Sequence, residues 1–118
     1  MKPTLMTNTS NLSLPSIGPV ENPVGPVVSE WKLHSLYEGP CKHLQVGFWE
    51  SSPGKWQHTF EHDEFCHFIS GHVIYTPESG EPIEFRGGDA VFFPGNTAGV
   101  WDVRETVRKS YAIYDRSE

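Results

Sequence analysis

Disulfide scaffolding is the first thing the chain lacks. Its 118 residues hold only two cysteines, Cys41 and Cys66, too few to staple a small domain. A cytoplasmic protein with reduced thiols is the expectation. No run of basic residues exists, and 9 Lys and Arg stand against 15 Asp and Glu. A net charge of −6 disfavours nucleic acid and anionic membrane as partners. No apolar stretch approaches the roughly 18 residues of a membrane span, and no apolar h-region follows Lys2, so a secretory signal is not expected. Gly-x-Ser-x-Gly and Cys-x-x-Cys are missing. Gly87-Gly88-Asp89 has neither a following helix nor a Lys-Ser/Thr pair, which excludes a phosphate loop.

What is present in excess is punctuation. Glycine and proline number 11 and 10, against a hydrophobic share of 36% that is ample for a core and excludes wholesale disorder. Residues 1–28 carry five of the prolines, no aromatic residue, and only Lys2 and Glu21 as charges. Proline fixes φ and removes a donor, so this stretch is expected to be an extended arm rather than a helix or central strand. Its Leu12, Leu14, Ile17, Val20, Val24, Val27 and Val28 could lie along the protein's own surface or a second copy's; a frayed tail is the alternative.

Residues 29–118 read as one all-β domain. Apolar runs at 31–37, 44–49, 64–69, 73–76, 83–85 and 90–93 are each followed by Gly, Pro, Asn or Ser, among them a turn at Ser70-Gly71. The last segment is ambiguous. Val100, Val103, Val107, Tyr111 and Tyr114 recur at helical spacing. The same segment divides into two strands turning at Arg104-Glu105, the reading its Val, Ile and Tyr content favours.

Two motifs then stand in order. Glu64-Phe65-Cys66-His67-Phe68-Ile69-Ser70-Gly71-His72-Val73 resembles the first cupin motif, with a Glu seven positions before a Gly. Gly88-Asp89-Ala90-Val91-Phe92-Phe93-Pro94-Gly95-Asn96 resembles the second. The flanking Phe48-Trp49-Glu50, Pro53-Gly54-Lys55-Trp56 and Trp101-Asp102-Val103-Arg104-Glu105 are similar to one branch of RmlC-like single-domain cupins. That branch contains the (S)-ureidoglycine aminohydrolase cupin domain and the ethanolamine-utilisation cupin. The resemblance implies a double-stranded β-helix, or jelly-roll barrel, that encloses a small-molecule pocket and forms homodimers.

It also implies a metal site, held by two His and a Glu of the first motif and a His of the second. Glu64 takes the place of the Glu and His58 that of one His, but Phe60 and Gly99 stand where the other two belong. The site is therefore degenerate, and no cofactor is the first expectation. A divalent ion (Mn, Zn, Fe or Ni) remains the alternative. On an unbroken strand His58, Phe60, His62, Glu64 and Cys66 would share one face. His58, His62 and Glu64 could then hold an ion if the strand bent. His67 is placed outside the barrel, His34, His43 and His72 on the surface, and Cys41 in packing.

On the last strand Lys109 and Tyr111 share a face. Arg108, on the other face, is expected to be exposed, so Lys109 and Tyr111 are expected to point inward. A buried Lys needs a partner, and Glu64 or Glu105 is the candidate. Lys109 then serves as a structural ion pair, as a contact for a substrate carboxylate, or as a base of depressed pKa. Trp101, Phe60 and Cys66 are expected at the pocket, Trp101 as a wall. Four functions follow: a pocket for a small polar or carboxylate ligand, a metal enzyme resembling ureidoglycine aminohydrolase, a metal-free epimerase or isomerase with His58 as base and Tyr111 as acid, or an accessory subunit.

Overall fold

The computed structural model describes residues 2–40 and 43–116. Cys41 lies outside the described residues. Eight strands carry the chain: β1 Ser16–Pro19, β2 Glu30–Glu38, β3 Leu44–Ser51, β4 Gly54–Phe60, β5 Asp63–Pro77, β6 Ile83–Arg86, β7 Ala90–Phe93 and β8 Thr97–Tyr114. All named pairings are antiparallel.

The two longest strands organise the rest. β5 and β8 pair with each other from Asp63↔Tyr114 to Pro77↔Gly99. The C-terminal half of β8 also pairs β3, which pairs β2 and then β1, while the N-terminal half of β5 pairs β7. The other halves pair β4 and β6. Each long strand thus passes from one sheet into the other, as corner strands of packed sheets do. The corner falls where the β5–β8 register shifts three times between Phe68 and Val73. Such bulges bend a strand without ending it.

This corrects three expectations. Ser70-Gly71 is a bulged corner within β5, not a turn. Gly71 is required there: φ is +104° and a Cβ would come within 2.5 Å of the Thr106 carbonyl and Val107 Cα of β8. Arg104-Glu105 likewise lies inside a continuous β8, and neither a helix nor a strand break occurs. Finally, residues 58–66 do not form one strand. The chain reverses at Glu61-His62, where the Asn96 and Gly95 amides donate to the Phe60 carbonyl (2.6 Å) and the Asp63 carboxylate (2.8 Å).

Aromatic rings fill the interior. Trp56 and Trp101, opposite each other on β4 and β8, stack at 5.7 Å with a 6° interplanar angle. Phe60 stacks on Phe93 at 4.3 Å, and Phe68 packs on Phe85 at 4.5 Å. Burying each such side chain contributes about 1.5–3 kcal/mol.

The proline-rich segment is extended and lies on the chain's own barrel. β1 adds to the β2 edge, Leu14 and Val20 are buried, and Ile17, Val24, Val27 and Val28 stay exposed. The chain then crosses to the opposite sheet. The Val24 amide donates to the Lys55 carbonyl at 2.8 Å, and the Gln57 amide to the Asn22 carbonyl at 3.1 Å. Residues 20–24 therefore strap the β2 edge to the β4 edge. Arg108 anchors the other end. It is buried, not exposed as expected, because this segment covers the outer face of β8: its guanidinium donates to the Thr9 and Leu12 carbonyls and to Glu50 of β3. Among the described residues no helix is long and apolar enough to cross a membrane.

Candidate functional site

Between the sheets, near the strap, lies a cavity of about 600 Å³. Its floor is set by strand register. On β8, Lys109 stands opposite Trp49 of β3 and Phe68 of β5, and Tyr111 stands opposite Gly47 and Cys66. Lys109 Nζ donates to Glu64 Oε2 at 2.6 Å, with both side chains about nine-tenths buried. Of the two carboxylates expected as partners, Glu64 is the one used; Glu105 is exposed. The ammonium also lies 4.5 Å from the Trp49 ring centre and 5.4 Å from that of Trp101.

Burial opposes both charges, yet the pair keeps them. Burial alone would push the Glu64 carboxyl up. The Lys109 charge and hydrogen bond, helped by the Cys66 thiol, hold it below the ordinary glutamate range. Burial would likewise push Lys109 down, but the Glu64 carboxylate holds the ammonium above the ordinary lysine range. That direction favours the ion pair over the alternative of a base with depressed pKa.

Cys66 sits under the pair, fully buried, its Sγ donating to Glu64 Oε2 at 3.1 Å. Burial first, and the neighbouring carboxylate next, push its thiol up to about 12. A thiol so held is not a nucleophile. Native protein treated with iodoacetamide is expected to leave the Cys66 peptide unmodified by mass spectrometry, with full alkylation after denaturation. Rapid native alkylation of Cys66 would contradict this placement.

Tyr111 is 7% exposed, and among the described residues nothing hydrogen-bonds its hydroxyl. The phenol lies across Gly47, where a Cβ would come within 2.6 Å of the hydroxyl and 2.5 Å of the His34 carbonyl. Burial and the Glu64 charge raise its pKa, so it is a neutral phenol. Gly47→Ala is expected to cost about 1–3 kcal/mol and to displace the Tyr111 ring. Urea denaturation and the Tyr111 ring resonances check it, and an unchanged ring environment would contradict the packing.

His58, on β4, lines the same cavity, its ring 4.6 Å from Phe60 and 6.2 Å from Trp31. Burial, then the Lys109 charge, lowers its pKa, leaving the imidazole neutral. Phe60 and Trp101 are core residues that also line the cavity. They fill the deeper interior without closing the mouth.

The three proposed ligands do not converge. All three line the cavity, but His62 sits on the β4–β5 reversal, its ring 3.5 Å from the Asp115 carboxylate. Among the described residues no three His, Cys, Asp or Glu side chains form a group that could hold a metal ion. The single-strand arrangement that would have aligned His58, His62 and Glu64 fails because β4 ends at Phe60 and β5 starts anew. The fourth family position is sterically closed: a Cβ at Gly99 would meet the Tyr75 hydroxyl and the Thr76 carbonyl at 2.6 Å. The residues present do not fit the metal that the fold implies, and an ammonium pairs with its carboxylate.

The remaining histidines lie elsewhere. His34 and His67 are exposed. His43 Nδ1 lies 3.0 Å from the Asp115 carbonyl, and His72 pairs with Glu84 at 2.5 Å. Sequence reasoning missed several lining residues. Trp31 and Trp49 complete a cluster of all four tryptophans, with Trp31 5.5 Å from Trp49 and 5.7 Å from Trp56. Glu21 and Asn22 of the strap, and Glu61 at the β4–β5 reversal, form part of the rim. The one signal for the strap was Glu21 itself, a lone acid in a stretch otherwise almost without charge.

Two sheets that share their longest strands and enclose a cavity between tryptophan walls define a cupin-type jelly roll. A family model for the EutQ-like cupin domain matches residues 38–111, and the chain belongs to that family. No curated protein matches it. Among solved structures it is similar to a DUF861-family protein of unknown function from Pseudomonas syringae pv. tomato, with a TM-score of 0.77 and 24% identity over 87% of this chain. The chain spans 45% of that protein's length. It is also similar to the Clostridium difficile EutQ protein (TM-score 0.65, 18% identity, 76% of this chain and 71% of that one). A DUF861-family protein from Thermotoga maritima is 31% identical, with a TM-score of 0.56 over 57% of this chain and 76% of that one.

Proposed function

We propose that the chain is a small-molecule-binding cupin whose pocket works with a buried ion pair in place of a metal. The observation that carries this reading is the 2.6 Å contact between Lys109 and Glu64 on the cavity floor. Phe60 and Gly99 at the two lost ligand positions support it. The ligand is small and polar. Its hydrogen-bonding end meets the Tyr111 hydroxyl and the His58 ring, both without protein partners among the described residues, and its body packs on tryptophan.

The test is a panel of single-ring fragments, neutral, cationic and anionic, followed through the indole N–H resonances of the four tryptophans. Saturable shifts at Trp31, Trp49 and Trp56, unchanged by EDTA and weakened in Tyr111→Phe, are expected. Tyr111→Phe keeps the fold because it removes no protein hydrogen bond. No saturable binding, or binding that appears only on adding a divalent metal, would overturn the reading.

A further inference from the structure

We propose that the pocket selects a ligand carrying a positive charge, an ammonium or a guanidinium-type group, rather than the carboxylate that Lys109 suggests at first sight. This deepens the reading above and rests on it.

Three observations combine. The first is charge. The cavity is lined by three carboxylates, Glu21, Glu61 and Glu64, against one ammonium, Lys109, which leaves a formal −2. His58 adds nothing, since burial and Lys109 keep it neutral. His62 faces Asp115. The second is how Lys109 is spent. Its charge lies between the Glu64 carboxylate and two indole faces. A ligand carboxylate reaching it would also meet Glu64 at close range, where like charges repel strongly in a low-dielectric site. The third is the hydrogen-bonding capacity left over. Tyr111 is 7% exposed as a residue, it lines the cavity, and its hydroxyl has no partner among the described residues. Its oxygen, an imidazole nitrogen of neutral His58 and the second oxygen of Glu64 are all free to accept. Two donors are left over as well, the indole N–H groups of Trp31 and Trp101, buried, without a partner among the described residues and on residues that line the cavity. A ligand that carries positive charge and donates to the three acceptors, with an acceptor of its own for the indoles, satisfies both sets. Indole faces favour such a group as well.

The two rim acids come from different parts of the fold. Glu61 sits at the β4–β5 reversal, and Glu21 is on the strap that the N-terminal segment lays across the sheet edges. The strap is thus a specificity element as well as a closure.

The test compares three probes of matched shape: benzylamine, benzyl alcohol and sodium benzoate, each titrated into the full chain at low ionic strength and followed by the tryptophan indole resonances. Benzylamine is expected to bind about three- to tenfold more tightly than benzyl alcohol, and benzoate more weakly than either. In a Glu21→Gln/Glu61→Gln variant the benzylamine advantage over benzyl alcohol is expected to fall to twofold or less, through weaker benzylamine binding. Raising the salt concentration is expected to erode the benzylamine advantage and leave benzyl alcohol unaffected. Benzoate binding as tightly as benzylamine overturns the charge assignment while leaving the pocket reading intact. An amine preference that survives both substitutions overturns the role of the rim. Failure of all three probes overturns this inference together with the pocket reading.

Discussion

Lys109→Met is expected to lower stability by about 3–5 kcal/mol, the range for breaking a buried ion pair from one side. For a domain of this size that is a fall in Tm of roughly 10–25 °C. The loss is large because Glu64 stays behind, nine-tenths buried and without its cation. Cys66 cannot compensate, as a neutral thiol donates only weakly. The double variant Lys109→Met/Glu64→Met is expected to recover most of the loss, since apolar replacement of a whole buried pair is often neutral or stabilising.

The pH dependence has a defined sign. In the wild type the Glu64 carboxyl is held below its ordinary value. Its contribution is fully present above the unfolded pKa and is lost as the pH falls through the folded one. Lys109 is held above its ordinary value, so its contribution is present below the unfolded lysine pKa and lost as the pH rises through the folded one. In Lys109→Met the isolated Glu64 protonates readily, and the deficit relative to wild type shrinks on acidification. Urea denaturation at several pH values measures all of this. A single-variant loss below about 1 kcal/mol, the range of exposed pairs, would show that the pair is not buried as described.

Arg108→Ala is the second large effect. The guanidinium donates to the Thr9 carbonyl at 2.8 Å, to the Leu12 carbonyl at 2.5 Å and to Glu50 at 3.0 and 2.7 Å. Removing it leaves two backbone carbonyls without this donor and Glu50 with Lys32 as its remaining cation among the described residues, 3.8 Å away. A loss of about 2–4 kcal/mol is expected, on the scale of hydrogen bonds to charged groups that do not add fully. The N-terminal segment should detach as well, seen as faster proteolytic cleavage within the first 15 or so residues. Arg108→Lys keeps the charge but not the planar fork and should recover only part of the loss. Unchanged stability and unchanged cleavage in Arg108→Ala would mean that the segment is held by β1 alone.

These two neighbours on β8 also show what the sequence could and could not reveal. The strand content was legible because glycine and proline divide the chain into runs too short for helices. The inward side of β8 was legible from period two, which pairs Lys109 with Tyr111, and a buried lysine demands an acid that Glu64 could supply. The length of β5 and β8 was not legible. Ser70-Gly71 and Arg104-Glu105 read as turns because residues that permit reversal also permit a bulge. Only pairing of the two strands along their whole length decides between the outcomes. Arg108 was misread for a related reason: period two assigns a face, but whether an outer face meets water depends on what lies over it, here carbonyls nearly a hundred residues away in the chain.

The pocket itself divides along the same line. Residues on strands with clear alternation, Lys109, Tyr111 and Glu64, could be placed on the inner face. Residues that reach the cavity from a reversal or from the strap, Glu61, Glu21 and Asn22, follow no periodicity. The expected alignment of His58, His62 and Glu64 assumed one strand where the fold has two. The glycines carry a signal that becomes readable only in three dimensions. Gly47 and Gly99 each lie beneath a tyrosine hydroxyl, and at Gly99 this packing occupies the space a family histidine would need.

The most direct test of the ion pair in place of a metal is the metal content of the untagged 118-residue chain. It would be expressed in medium supplemented with Mn, Fe, Ni and Zn, purified without chelators and measured by elemental analysis. Well under one-tenth of a metal ion per chain is expected, with fragment binding at the tryptophans unaffected by EDTA. Near one equivalent of a single metal, lost together with fragment binding on chelation, would contradict the account and return Glu64 to the role of a ligand.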